Sequence, residues 1–265
     1  MKKISILLIL IIYIGIIVSI PTNAENSMYT KGLTYLQNHG FDQKMINLMS
    51  YEEICEYSDA IYTETETINY YFPKNSDNQL IIESMNSNNS IDLCDSNVQL
   101  YDWLSLRIST TLIGNDYFVV YSSFEWKTNP LMRLKDVFAI TFPNNLIPNE
   151  STGIAKFCYD DASGTLQEID YSSLIQYCNG GIYVMYDLPF YFNNDLYGYM
   201  STRATLNIMS NDSSVNFSNY AYYAHQIFIL IGDASVSFPA SISFSITPEN
   251  SFDIAAVELL TYYEE

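Results

Sequence analysis

Histidine is almost missing from this chain, which has only His39 and His225. Acyl-transfer chemistry of the Ser–His–Asp or Cys–His kind needs an imidazole to shuttle the proton, so one of these two would have to serve. His39 closes a helical stretch, where a ring that gains a proton favours the negative end of the helix dipole. His225 lies in Ala224-His225-Gln226 on an apolar stretch, where a hydrogen-bonded structural role is expected. No G-x-S-x-G elbow, H-E-x-x-H helix or Gly-rich phosphate loop is present, so hydride and phosphoryl transfer have no support. Cations are scarce as well, with Lys and Arg numbering 11 against 30 Asp and Glu, for a formal charge of -19. Phosphate backbones need a basic face, which argues against nucleic acid and anionic lipid headgroups as partners. No C-x-x-C pair exists and neither histidine sits near a cysteine, so no metal site and no cofactor are expected.

The ends carry the clearest signal. Lys2 and Lys3 precede an uncharged, Ile- and Leu-rich run from Ile4 to Ile20, and Pro21 ends it. Thr22-Asn23-Ala24 then offers small residues to a signal peptidase, so residues 1–24 read as a secretory signal released before Glu25. The alternative is an uncleaved membrane anchor at residues 4–20, since the run approaches the ~20 residues needed to span a bilayer. Losing Lys2 and Lys3 takes the formal charge from -19 to -21. The expected location is extracellular, and the expected protein is acidic and secreted.

Four cysteines, Cys55, Cys94, Cys158 and Cys178, follow the signal. In an oxidising compartment they predict two disulfides, with three connectivities open. The sequential pairing of Cys55 with Cys94 and Cys158 with Cys178 closes the shortest loops.

Residues 25–63 read as a short helical segment. Leu33, Tyr35 and Leu36 share a side, Gly40 follows His39 as a C-cap, and Asp42 caps a second helix with Met45, Ile46 and Met49. Ser50-Tyr51-Glu52-Glu53 matches the capping box that opens a third. Residues 64–265 read as one antiparallel β domain, a sandwich or barrel-like fold. Strands are expected at Ile68–Phe72 and Gln79–Ser84. A hairpin is expected from Leu104–Leu112 through Gly114-Asn115-Asp116 to Tyr117–Trp126. Others fall at Val137–Phe142, Gly153–Tyr159, Leu166–Tyr171, Ile182–Leu188, Ser201–Met209 and Tyr222–Ile231. Asn86–Ser90 reads as a polar loop. The clearest alternation runs from Ser235 to Thr247, a single long strand placed at a sheet edge because Pro239 lacks an N–H.

The segment Phe124 to Ile140 concentrates Lys127, Arg133 and Lys135 in a chain poor in cations. It predicts a strand–turn–strand corner in which Trp126 covers the strand end and Arg133 pairs with Asp136. The pattern F-E-W-K-x-x-P-x-x-R-x-x-D-V-F-A-I there, with Leu36 to Phe41 and Ser50 to Glu53, resembles a group of uncharacterised secreted β-rich proteins of Gram-positive bacteria. That resemblance implies export and a β-rich body. It implies no activity, cofactor or ligand.

These features predict a non-catalytic extracellular or cell-envelope binding protein. Its 24 tyrosines suit contact with a cell-wall or surface glycan, because a ring stacks on sugar C–H bonds. Two alternatives stand beside it. Thirty carboxylates allow a hydrolase working through an acid pair. The alternation at Leu104–Leu112 and Ser235–Thr247 would also suit a membrane-inserting β protein. Asp160 to Glu168 resembles a calcium loop only superficially, since its carboxylates fall out of register, and it reads as a hairpin turn.

Overall fold

The computed structural model describes residues 23–73, 100–114, 117–128, 135–161, 163–178, 180–188, 196–207, 214–226, 234–237, 241–244 and 252–264. The chain divides into two compact units, residues 1–60 and 61–265. Residues 1–22 of the expected signal, Cys94, Arg133, the expected strand Gln79–Ser84 and the Asn86–Ser90 loop lie outside the described residues.

In the first unit, α1 (Asn23–Asn38), α2 (Gln43–Leu48) and α3 (Tyr51–Glu56) follow in close succession. Gly40 adopts φ 71°, and the Phe41 N–H bonds back to the Leu36 carbonyl, which stops α1. Asp42 accepts from the Lys44 N–H and starts α2. Ser50 and Glu53 close the capping box on α3 in both directions. Gly32 lets α1 approach the α3 backbone closely, for a Cβ there would stand 1.9 Å from the Ile54 carbonyl oxygen.

The second unit is an antiparallel β-sandwich. β1 (Ala60–Pro73), β2 (Leu100–Ile113), β3 (Tyr117–Trp126), β10 (Tyr197–Leu206), β6 (Ile154–Asp160) and β7 (Leu166–Asp170) form the first sheet in that order, and β5 (Leu146–Pro148) also pairs with β10. The second sheet runs β14 (Phe252–Glu264), β11 (Ser214–Gln226), β4 (Lys135–Thr141), β9 (Gly181–Asp187) and β8 (Gln176–Cys178). Alternation explains the packing. Leu104, Leu106 and Ile108 on β2, Phe118, Val120 and Phe124 on β3, and Phe138 and Ile140 on β4 all turn into one core. Tyr223 and Val257 join them from β11 and β14. The apolar face of Leu104–Leu112, which would suit a bilayer, is therefore used between the sheets. Gly198 lets β10 and β6 approach, because a Cβ there would meet Phe157 Cδ1 at 2.3 Å.

One expected strand divides. The described residues there form β12 (Ala234–Ser237) and β13 (Ser241–Phe244), paired antiparallel as a separate ribbon in the register Ser237↔Ser241. Pro239 falls in the three-residue connection between them. Because the two strands pair antiparallel, the alternation folds back on itself instead of running straight. β11 begins at Ser214, eight residues before the strand start that its sequence suggests.

The expected Cys158–Cys178 disulfide does not form, and Cys55, Cys158 and Cys178 are all thiols. Cys158 shares β6 with Ala155 and Phe157, whose side chains enter the core, so its own points off the outer side of the first sheet. Cys178 packs with the cluster on the outer side of the second sheet. Two sheets about 10 Å apart separate them, whereas bridged Cβ atoms lie about 3.5–4.5 Å apart. Cys178 instead donates to the Gly181 carbonyl at 3.3 Å.

Candidate binding face

Two sets of side chains on β11 draw attention, one on each face. The inward set forms a polar network at one end of the core. Asp136 on β4 stands in register between His225 on β11 and Tyr186 on β9. Its Oδ1 accepts from His225 Nδ1 at 2.8 Å, and its Oδ2 accepts from the Tyr223 hydroxyl. With its own proton committed to Asp136, the Tyr223 oxygen accepts from Trp126 Nε1 at 2.8 Å and from the Tyr186 hydroxyl at 2.5 Å. Trp126 comes from β3 of the first sheet, so its indole ties the two sheets together. The Trp126 and His225 rings meet edge-on with centroids 4.9 Å apart.

Trp126 and Asp136 of the expected corner are thus brought together, through Tyr223 and the core. His225 is the hydrogen-bonded structural ring its apolar surroundings suggest. Asp136 is fully buried and His225 is 3% exposed. Burial, with the Asp136 charge added, pushes the Tyr223 and Tyr186 phenols well above their ordinary range. The network holds protons in place inside a closed core and offers no surface to a substrate.

The outward set lies on the outer side of the second sheet, which has two dissimilar halves. Toward β4 and β9 this side is buried. Val137, Ala139, Tyr183, Tyr222 and Ala224 form a second apolar cluster, and β12 of the ribbon runs beside β4, β9 and β8. Toward β14 it is bare. The register pairs Asn216 with Tyr262, Ser218 with Leu260, and Tyr220 with Glu258. Leu260 is 65% exposed and Tyr262 50%. The Tyr220 hydroxyl donates to Glu258 Oε1 at 2.7 Å, and that bond, with some burial and the Glu258 charge, pushes the phenol up to about 12. Tyr220 also stacks on Tyr222 with centroids 6.3 Å apart, so its ring cannot swing freely. Residues 204–265 contain seven carboxylates and no Lys or Arg. The bare face therefore carries a fixed carboxylate, exposed apolar side chains and no cation of its own.

β14 is what the sequence reading missed. Ala255-Ala256 and Leu259-Leu260 break the two-residue alternation, which hides a strand that here pairs along its whole length with β11. The carboxylate opposite Tyr220 could not be found without that register.

A cleft of about 440 Å³ lies elsewhere, between the Phe142–Pro148 segment and Tyr177 to Gly180. Glu150 is the only charged group lining it among the described residues. The Tyr177 hydroxyl at its side is already held by the Gly153 N–H at 3.1 Å.

No family model matches the chain, and no curated protein does. Solved structures with a similar arrangement include three Gram-positive surface proteins. The collagen-binding subdomain of the Enterococcus faecalis surface protein ACE is 8% identical, covering 56% of this chain and 88% of that one, with a TM-score of 0.29. The T6 backbone pilin of serotype M6 Streptococcus pyogenes is 9% identical, covering 75% and 46%, with a TM-score of 0.35. The collagen-binding domain from a Staphylococcus aureus adhesin is 7% identical, covering 52% and 86%, at 0.26. Likeness at this level says nothing about what the present chain binds.

Proposed function

We propose that this chain is exported and acts outside the cytoplasm as a non-catalytic binding protein, laying a wall or surface glycan along the bare face of β11 and β14. One observation carries the reading: Leu260 and Tyr262 stand exposed beside a Tyr220–Glu258 pair already held in place. Sugar rings present flat C–H faces to aromatic and aliphatic side chains, and their hydroxyls need fixed acceptors. A flat sheet face with both kinds of group supplies what such a polymer requires. The groups that resemble a catalytic constellation, Asp136, His225 and Tyr223, are closed in the core instead. Among the described residues the cleft borders a single acid, Glu150, where carboxylate-driven glycoside hydrolysis would need two.

The test uses the full chain expressed in a bacterium with its own leader. The expected product is recovered outside the cytosol, begins at Glu25, and is retained on insoluble cell-wall polysaccharide. Tyr262→Ala should lower that retention without changing thermal stability. Retention of an intact chain in the cytosol would contradict export, and unchanged retention by Tyr262→Ala would contradict the choice of face.

A further inference from the structure

Resting on that reading, we infer that the glycan held by the β11–β14 face is an amine-bearing one, a polysaccharide with free 2-amino groups protonated at neutral pH, and that Glu258 receives the ammonium. Charge complementarity is the first reason. With no Lys or Arg across residues 204–265, the face has no internal cation to neutralise Glu258. A chain of formal charge -19 repels phosphorylated, sulfated or uronic polymers and attracts cationic ones. The second reason is the state of the carboxylate. Tyr220 occupies Oε1 and fixes its direction, while Oε2 makes no hydrogen bond among the described residues. An ammonium has three N–H donors and no acceptor, which matches an acceptor group already oriented by a phenol.

Shape decides between a cationic glycan and a basic peptide. Extended peptides dock by adding a strand to a sheet edge, and helical or proline-rich ones by filling a groove. The bare region here is the flat side of two paired strands. From Glu258 to Tyr262 it runs four residues, roughly 14 Å at about 3.4 Å per residue. That length accommodates consecutive sugar rings, with Leu260 and Tyr262 under their C–H faces and Glu258 beside an amino group. Each contact is weak and exposed to salt. Repetition along the polymer supplies the avidity.

The experiment measures binding of the full chain to a glucosamine oligomer and to the same oligomer after complete N-acetylation, by titration calorimetry at low salt. Wild type should favour the free-amine form by up to about fivefold, as expected for one solvent-exposed ion pair at low salt. Glu258→Gln should remove that preference, and Tyr262→Ala should weaken both complexes. Any polycation will adhere somewhat to so acidic a chain, so the single-charge change at Glu258 separates a site from general attraction. Equal binding of both forms, unmoved by Glu258→Gln, would overturn the amine assignment and leave the glycan reading standing. Binding of neither form would overturn both. Retention by polylysine with none by glucosamine would replace the glycan with a basic polypeptide.

Discussion

Strand β11 carries two tyrosine–carboxylate hydrogen bonds three residues apart, and they have opposite consequences. Tyr223 donates inward to Asp136, within a core where every neighbour is fixed. Tyr220 donates outward to Glu258, on a face open to water. The chemical pair is the same, but the surroundings differ. In the core, removing one partner takes a hydrogen bond from the other where water cannot replace it, which is costly. On the surface, water replaces whatever is removed, so the pair contributes little to stability and its carboxylate stays available to a ligand. Burial makes the first pair a part of the fold. Exposure leaves the second open to the ligand proposed for this face.

The largest break in that contrast should come from Asp136→Ala. It strips acceptors from His225 and Tyr223 together and should cost about 3–5 kcal/mol, read as a lower midpoint in urea unfolding. Tyr223→Phe should follow at about 2 kcal/mol, since it takes the acceptor from Trp126 Nε1 and one donor from Asp136 while keeping the ring. The same variant changes the alkaline limb of stability. Tyr223 and Tyr186 have folded pKa values raised above the unfolded 10, so they hold their protons in the native state after the unfolded chain has released them. Their contribution is whole below pH 10 and declines as pH rises from there through the folded values. Wild type should lose stability more steeply above pH 10 than Tyr223→Phe does, measured by unfolding across an alkaline series.

Smaller effects sharpen the other side. Tyr220→Phe should stay within about 0.5 kcal/mol of wild type, yet lower glycan retention by releasing Glu258. Its loss should also remove a phenol titrating near 12 from the ultraviolet absorbance curve. Thr261→Val is expected to be neutral or slightly stabilising. The Thr261 hydroxyl is fully buried on β14 and has no hydrogen-bond partner among the described residues, so a methyl in its place forfeits nothing there. A loss of stability there would show that polarity itself, and not satisfaction, distinguishes the buried sites.

Much of the sandwich was legible because two-residue alternation survives wherever one face of a strand is buried. Leu104 to Leu112 announced β2, and the turn at Gly114 announced its partner. The same rule misled at Ser235 to Thr247, where one apparent strand is two short ones paired with each other. It was silent at β14, where paired alanines and paired leucines mask the rhythm. Local capping was readable at Asp42 and at Ser50 with Glu53, since those bonds span two or three residues. Long-range partners were not. Asp136 meets His225 and Tyr223 across 87 to 89 residues, and nothing local in either segment names the other. The cysteines failed for the converse reason, as closeness in sequence said nothing of the opposite sheet faces they occupy. Of the proposed binding face, the sequence offered only an abundance of tyrosine; sheet register shows which ones share that face.

The most direct test measures polysaccharide retention and thermal midpoint on the same preparations of wild type, Tyr223→Phe and the double variant Glu258→Gln/Tyr262→Ala. The double variant should lose retention while melting with wild type, and Tyr223→Phe should melt earlier while still binding below its transition. A double variant that binds as wild type does would contradict the account.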